Sequence, residues 1–159
     1  MGQMKDIDAK DWQIIRELQA DGHLTNQELA QRVNLSPSPC LRRVRLLEEA
    51  GVITGYSADV DPRACGLNIT AFILVALQRP ERDAVENFEK SIARIEEILD
   101  CYLLTGEADY MLRVVVADLE EYERFVRKRL HAIPGISSIK TSLVYGTVKS
   151  SRVFPHAHR

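Results

Sequence analysis

Three arginines lie within four residues of one another: Arg42, Arg43 and Arg45. A guanidinium group forms paired hydrogen bonds with planar anions such as phosphate, so this cluster has the chemistry to bind a polyanion. The surrounding sequence does not share the charge, since residues 1–60 hold seven Lys and Arg against nine Asp and Glu. The positive charge is therefore confined to one short segment, and the acidic remainder limits nonspecific attraction to polyanions.

A second set of polar groups lies in the segment TGEADY, from Thr105 to Tyr110. Gly106 allows a ligand to approach the backbone closely, and the carboxylate of Asp109 can bind an ammonium group. Together they suit a small zwitterion, which presents an ammonium and a carboxylate on one carbon. The alternative is an ordinary turn between two strands, in which Asp109 bonds to local backbone, and the segment by itself favours that turn.

The arginines are carried by a predicted helix that begins near residue 36. Ser36 followed by Pro37 is a helix-start pattern, and Pro39 still falls in the first turn, where proline is tolerated. At about 100° per residue, one face holds Cys40, Leu41, Val44 and Leu47, and roughly the opposite face holds Ser38, Arg42, Arg45 and Glu49. Arg43 falls on the flank. The stiff start is expected to aim the basic face outward.

Two shorter helices are predicted before it. Asp8 caps the first, and Thr25 with Glu28 forms a capping box for the second. Their apolar residues are Trp12, Ile14, Ile15 and Leu18 in the first helix and Leu29, Ala30 and Val33 in the second. A tight turn at Asn34 and Leu35 follows. This pattern is typical of a helix-turn-helix, whose last helix enters the DNA major groove by its N-terminal residues. A three-helix bundle with a solvated basic face stays open as the alternative.

Beyond residue 52 the apolar pattern changes from helical to strand-like. The predicted strands cover residues 69–79, the two sides of a turn at Gly106 and about 136–148, and the predicted helices cover 82–97 and 119–131. The order strand, helix, strand, strand, helix, strand is that of the ferredoxin-like βαββαβ fold with an antiparallel sheet, so the fold class is α+β. Both helices lie on one face of such a sheet, and the other face predicts self-association into a homodimer.

These patterns divide the chain into three parts. Residues 1–52 are predicted to form a (winged) helix-turn-helix domain, 53–66 a β linker, and 67–159 a ferredoxin-like domain. The linker prediction rests on the alternating segment VITGYSADVDP, which Pro62 closes.

The composition excludes several classes of protein. With 159 residues, 45% of them hydrophobic, and a formal net charge of −2, the chain can bury a core. No window reaches the roughly 18 apolar residues of a membrane span, so we expect a cytoplasmic protein without a membrane partner. Cys40, Cys65 and Cys101 are widely spaced, which predicts neither a disulfide framework nor a metal or other cofactor. No catalytic-triad order or phosphate-binding glycine loop occurs, so no catalytic residues are expected.

Three segments carry a resemblance to a known family: IDAKDWQIIRELQADGHLTNQELAQRVNLSPSPCLRRVRLLEEAGVITGY, YLLTGEADYMLRVVV and TSLVYGTVK. Together they resemble the leucine-responsive regulator and asparagine regulator (Lrp/AsnC, or feast/famine) family of transcription factors. The resemblance implies a regulator that binds double-stranded DNA and an amino-acid effector, built from dimers that assemble further, often to octamers. One departure is Arg42, which stands where close relatives commonly have an acidic residue.

The candidate site residues follow from the patterns and the resemblance. For DNA they are Ser36, Ser38, Pro39, Arg42, Arg43 and Arg45. For the effector, the resemblance implies the TGEADY turn with neighbours on and before the last strand: Thr105, Gly106, Glu107, Asp109, Tyr110, Ser137, Ser138 and Thr141. Two other classes stay open, an architectural DNA-binding protein without an effector and a ferredoxin-like enzyme acting on a small amino acid.

Overall fold

The computed structural model describes residues 7–78 and 81–155. Contacts group the chain into two compact units. The first comprises the chain up to Asp59 and again from Val148 onward, and the second runs from Val60 to Thr147. The second unit is therefore inserted into the first. No helix in the two described stretches is long and apolar enough to cross a bilayer.

Three helices form most of the first unit: α1 (Ala9–Ala20), α2 (Asn26–Arg32) and α3 (Pro37–Glu49). They share one apolar core, which confirms most of the predicted stripes. Its buried residues are Ile14, Ile15, Leu29, Ala30, Val33, Cys40, Val44 and Leu47. Leu41 was predicted to be buried and is 37% exposed, because it lies about 100° around the helix from Cys40, at the margin of the buried face. Asn34 takes a left-handed conformation (φ 52°) in the turn between α2 and α3.

The helix starts follow the predicted caps with one exception. The Thr25 hydroxyl accepts from the Glu28 amide at 3.2 Å, and the Glu28 carboxylate accepts from the Thr25 amide at 2.8 Å. Asp8 caps α1. Ser36 occupies the N-cap position of α3, but its side chain makes no capping hydrogen bond, so the predicted hydroxyl cap is wrong. Proline at the first helical position has no amide hydrogen to satisfy, and its ring fixes φ near the helical value. These two properties of Pro37, and not a side-chain cap, define the start of α3.

The segment between the units contains no strand. Residues 53–66, predicted as a β linker, include only a 3₁₀ helix at Arg63–Cys65, which ends at Gly66 with φ +80°. A strand requires a partner for its backbone hydrogen bonds, and the described part of this single chain supplies none here.

The second unit has the predicted ferredoxin-like order of elements. Its elements are β1 (Ile69–Leu77), α4 (Arg82–Ile92), β2 (Ile98–Leu103), β3 (Tyr110–Val116), α5 (Leu119–Phe125), which continues as a π-helical turn (Val126–Leu130), and β4 (Ile136–Leu143). The sheet order is β2-β3-β1-β4, and all neighbouring strands are antiparallel. The split βαβ topology is thereby confirmed.

The two faces of this sheet differ in their cover, because side chains alternate along each strand. One face packs against α4 and α5 through core residues such as Ile73, Val75 and Leu112. The intervening residues form what we call the open face: Phe72, Leu74, Ala76, Met111, Arg113, Ser138 and Lys140. Leu74 on this face is 37% exposed, and Tyr102, paired with Met111, is 49% exposed.

After β4 the chain returns to the first unit. Arg16 on α1 donates a hydrogen bond to the Phe154 carbonyl at 2.7 Å, and the Gln19 side chain accepts from the Phe154 amide at 3.1 Å. The stretch from residue 148 onward therefore belongs with the first unit, which differs from the predicted single domain over 67–159. The contacts of residue 154 are made by its backbone atoms. They do not depend on a periodic pattern of apolar side chains, so the sequence did not predict them.

Candidate DNA-binding and effector sites

Two of the three clustered arginines are freely displayed on α3. Arg42 and Arg45 are exposed, and within the described stretches neither takes part in an ion pair. Ser38 and Pro39 are also exposed, in the first turn. Residues 38, 42 and 45 recur at intervals of four and three, so they share one face of the helix. This face can offer hydrogen-bond donors to phosphates and base edges from a rigid helix start.

Arg43 is in a different setting. Its Nη1 atom lies 2.6 Å from Oδ2 of Asp8 and 2.8 Å from Oδ1 of Asp11. Asp11 is 2% exposed, and the Arg43 side chain is itself only 30% exposed. The sequence grouped Arg43 with the DNA-contacting arginines, whereas the structure pairs its guanidinium with two carboxylates of α1 and its N-cap. Those acids lie 35 and 32 residues away, so no local pattern indicated them.

These contacts shift the ionisation of both partners. The pKa of Asp8 is lowered, first because its carboxylate accepts a hydrogen bond from the Asp11 amide and further because of Arg43. Hydrogen bonds to Asp8 and Asp11 raise the pKa of Arg43. The network therefore favours the charged form of each of these two residues.

The predicted effector turn connects β2 and β3 and is anchored by Asp109. The Leu104 amide donates to the Asp109 carbonyl at 2.8 Å, and the Asp109 amide donates to the Val75 carbonyl at 2.9 Å. The Asp109 carboxylate accepts from the Leu77 amide at 2.7 Å. Gly106 has φ +132°, a backbone conformation that favours glycine. Asp109 thus holds the turn to β1, and its carboxylate is engaged with backbone.

Tyr110, another predicted effector residue, points the other way. It is 2% exposed, and its ring lies 4.6 Å from that of Phe88 on α4. Its hydroxyl donates to Oε1 of Glu89 at 2.9 Å. Burial, followed by the bond to Glu89, raises the pKa of Tyr110 to about 12. Tyr110 is therefore a core residue under the helices and does not line an effector cavity.

A cavity of about 210 Å³ lies beside the turn, on the open face. Its lining residues are Leu74, Ala76, Leu104, Thr105, Glu107, Ala108, Ser138 and Lys140. Three of these, Thr105, Glu107 and Ser138, were predicted from the sequence. A carboxylate, an ammonium group and two hydroxyls therefore surround a small space with apolar walls.

Strand alternation explains which predicted residues on β4 reach this cavity. Ser138 pairs with Ala76 and Lys140 pairs with Leu74, both on the open face. Thr141 pairs with Ile73 on the helix-covered face, where its hydroxyl shares a 2.5 Å hydrogen bond with Tyr122. Positions 138 and 141 differ by an odd number, so they cannot share a face. The same rule applied to Ser138 indicates Lys140, which the sequence analysis missed.

Ser137 also lies outside the cavity lining. Its hydroxyl donates to the Ala76 carbonyl at 3.0 Å, which ties the start of β4 to β1 at the point where their register shifts. We assign it to holding this strand end.

A larger groove of about 840 Å³ lies beside α5 and the exposed side of β2. Its charged lining residues are Arg94, Arg124, Lys128 and Arg129 together with Glu96, Glu97 and Glu121. Charges of both signs line it, so it has no clear preference for one kind of ion.

Comparison with known families matches nearly the whole described chain. Residues 7–54 match a winged helix-turn-helix DNA-binding domain, and residues 70–154 match the Lrp/AsnC ligand binding domain. The first range contains α1–α3, and the second contains all four strands of the sheet except Ile69, the first residue of β1.

Individual relatives agree with that assignment. The leucine-responsive regulatory protein of Escherichia coli (strain K12) is 40% identical over 147 residues, which is 92% of this chain and 90% of that protein. A crystal structure of a transcriptional regulator from Neisseria meningitidis, complexed with L-Met, is 40% identical, with a TM-score of 0.89 over 93% of this chain and 96% of that one. An AsnC family regulator from Agrobacterium tumefaciens is 32% identical, with a TM-score of 0.88 over the same shares. The chain belongs to the Lrp/AsnC family of transcriptional regulators, in which a winged helix-turn-helix domain is joined to a ligand-binding domain.

Proposed function

We propose that this regulator binds duplex DNA through the outer face of α3, with Arg42 and Arg45 as its main contacts. The observation that carries this is the pair of exposed guanidinium groups, outside any ion pair of the described stretches, on a helix whose start is stiffened by Pro37 and Pro39. Ser36 and Ser38 lie at that helix start, and their hydroxyl groups can form hydrogen bonds with phosphate oxygens. As a DNA-binding regulator, the protein would act in the cytoplasm beside the chromosome.

The proposed effector is a free amino acid bound in the 210 Å³ cavity on the open face. Glu107 can pair with the ligand ammonium and Lys140 with its carboxylate, while Thr105 and Ser138 add hydrogen bonds. Leu74 and the other apolar lining residues would receive the side chain. The volume is below the roughly 300–1,000 Å³ of sites for drug-sized ligands, which fits a single amino acid. The relative from Neisseria meningitidis was crystallised with L-Met, which supports this class of ligand.

The proposed assembly is a homodimer that associates through the open face and assembles further, up to an octamer. Phe72 and Leu74 of this face, with Tyr102 beside Met111, give it apolar area that neither α4 nor α5 covers. Sheets with one exposed apolar face are commonly buried by a second copy. The cavity lies on the same face, so a bound amino acid would change the free energy of assembly and, through it, of DNA binding.

One experiment tests these parts together. Random duplexes are selected for binding by the full-length protein, and the enriched sequences are then titrated with and without each common amino acid. We expect quasi-palindromic sites with half-sites about one helical turn apart. At least one amino acid should change the affinity by roughly 5- to 150-fold.

The same experiment separates the alternative functions. An architectural protein would enrich no sequence and would respond to no amino acid. An enzyme would consume the amino acid during the incubation, which chromatography of the mixture would detect. Sedimentation of the protein at each ligand concentration would show whether the response accompanies a change of assembly. A constant mass across all ligands would contradict the proposed link between effector and assembly.

A further inference from the structure

The first turn of α1 contacts both other helices of the helix-turn-helix. Arg43 on α3 is bound by Asp8 and Asp11, at 2.6 and 2.8 Å. Lys10, from the same turn, donates to the Val33 carbonyl at the end of α2, at 2.7 Å. Three short polar contacts therefore reach from the N-cap and first turn of α1 to α3 and to the C-cap of α2, the two helices joined by the Asn34–Leu35 connection.

The acids of this turn are themselves held in place. Oδ1 of Asp8 accepts from the Asp11 amide at 2.8 Å, and Oδ2 of Asp11 accepts from the Asp8 amide at 3.4 Å. Each carboxylate thus uses one oxygen for the helix cap and the other for Arg43. A guanidinium bound to two fixed carboxylates has little freedom to turn toward another partner.

Burial gives the contact its importance. Asp11 is a buried charged residue, 2% exposed, and such a carboxylate is tolerated only when it is paired. Release of Arg43 to a DNA phosphate would leave Asp11 buried without its cation. The exposed neighbours Arg42 and Arg45 carry no such penalty.

We propose that Arg43 is a positioning residue: the Asp8–Asp11–Arg43 contact fixes the orientation of α3 and so aims Arg42 and Arg45, without touching DNA itself. This inference rests on the proposed DNA-binding role of α3. It assigns to the first turn of α1, far from the basic face in sequence, control over how that face meets the duplex.

The test compares the salt dependence of DNA binding among variants of the full-length protein. A cation that contacts one phosphate contributes about 0.9 to the slope of log affinity against log salt concentration. Arg45→Ala should therefore flatten the slope by about that amount. Arg43→Met should weaken binding by about two- to tenfold at every salt concentration and leave the slope unchanged.

A double-mutant cycle separates positioning from a general loss of stability when the DNA affinity of each variant is corrected for its folded fraction, measured by urea denaturation. Arg43→Met alone leaves the buried Asp11 carboxylate without its cation. The double variant, Arg43→Met with Asp11→Asn, removes that buried charge, so it should stay folded even if the single variant unfolds. The two substitutions should be strongly non-additive in DNA affinity. Asp8→Asn, which keeps the helix cap but loses the charge, should weaken binding in the same direction.

The outcomes distinguish this inference from the function on which it rests. A flattened slope in Arg43→Met, with additive effects of Asp11→Asn, would overturn the positioning role and make Arg43 a direct contact. Failure of the unmodified protein to bind any duplex with a steep salt dependence would instead reject the proposed function of α3.

Discussion

The Oδ2 atom of Asp109 accepts a hydrogen bond from the backbone amide of Leu77, 2.7 Å away. The two residues lie on opposite sides of α4 in the chain and are 32 positions apart. Asp109 therefore holds the turn beside the proposed effector cavity to the end of β1. Its effect on a ligand would come through the position of Thr105 and Glu107.

Substitution of Asp109 separates this anchoring role from direct ligand binding. Asp109→Asn keeps an oxygen acceptor for the Leu77 amide, so we expect it to retain most of the amino-acid affinity. Asp109→Ala removes the acceptor and should cost about 2 kcal/mol of stability, together with effector affinity. Calorimetric titration with the identified amino acid and urea denaturation of each variant provide the measurements. Equal loss of binding in both variants would indicate that the charge itself contacts the ligand.

Arg42 and Arg45 should each carry one phosphate or base contact. Arg42→Ala and Arg45→Ala are expected to reduce the slope of log DNA affinity against log salt concentration by about 0.9 each. Arg82, which is highly exposed on α4 in the other unit, is the matched control, and Arg82→Ala should leave the slope unaltered. Fluorescence anisotropy on a selected duplex measures all three. If Arg42→Ala and Arg45→Ala also left the slope unchanged, the basic face would be merely solvated.

Glu107 and Lys140 are expected to act on opposite ends of the ligand. Glu107→Gln and Lys140→Met should each weaken amino-acid binding by about tenfold or more, since each removes one charge-assisted hydrogen bond. Lys90→Met, on α4 away from the cavity, provides the control. A ligand whose carboxylate is amidated should bind the unmodified protein weakly and bind Lys140→Met with little further loss. Full-strength binding of the amide would place Lys140 outside the site.

Acid should weaken the first unit partly through Asp8. The folded-state pKa of Asp8 is below its ordinary value of 3.8, so its ionised form stabilises the fold above that pH. This contribution is lost as the pH falls through the lowered folded-state value. Asp8→Asn caps the helix without titrating in this range, so its free energy of unfolding should fall less between pH 5 and 3 than that of the unmodified protein. Urea denaturation at several pH values, followed by Trp12 fluorescence, would reveal parallel curves if Asp8 did not contribute.

Tyr110 provides the corresponding test at alkaline pH. Its folded-state pKa of about 12 exceeds the ordinary value of 10.0, so the neutral phenol stabilises the fold below pH 10 and this contribution disappears as the pH rises toward 12. Tyr110→Phe removes the bond to Glu89 and should cost about 1 kcal/mol at neutral pH. The difference in unfolding free energy between the two proteins should shrink in alkali. A constant difference up to pH 11 would contradict the raised pKa.

Local sequence patterns predicted the elements and several of their caps. The capping box of Thr25 and Glu28 lies within four residues, and the apolar stripes follow directly from helix and strand periods. Such features need no knowledge of what packs against them. The alternation of strands would also have excluded Thr141 and indicated Lys140, had it been applied to β4.

Features that depend on distant contacts could not be predicted in this way. The partners of Arg43 and the anchor of Asp109 each lie more than 30 residues away in the chain. On a helical wheel Arg43 is simply one more basic residue near an exposed face, and nothing nearby distinguishes it from Arg42. Its role depends on where the buried carboxylate of Asp11 lies after folding.

The return of the chain to α1 gives the protein an unusual response to proteolysis. Residues 54–61 join the two units without regular structure, and such a stretch is a natural cleavage site. After one cut there, the longer fragment would still carry Phe154, which hydrogen-bonds to Arg16 and Gln19 on the shorter fragment. Each of these two exposed hydrogen bonds contributes only about 1 kcal/mol, so the nicked pieces should associate weakly, and their co-elution on a sizing column should depend on protein concentration.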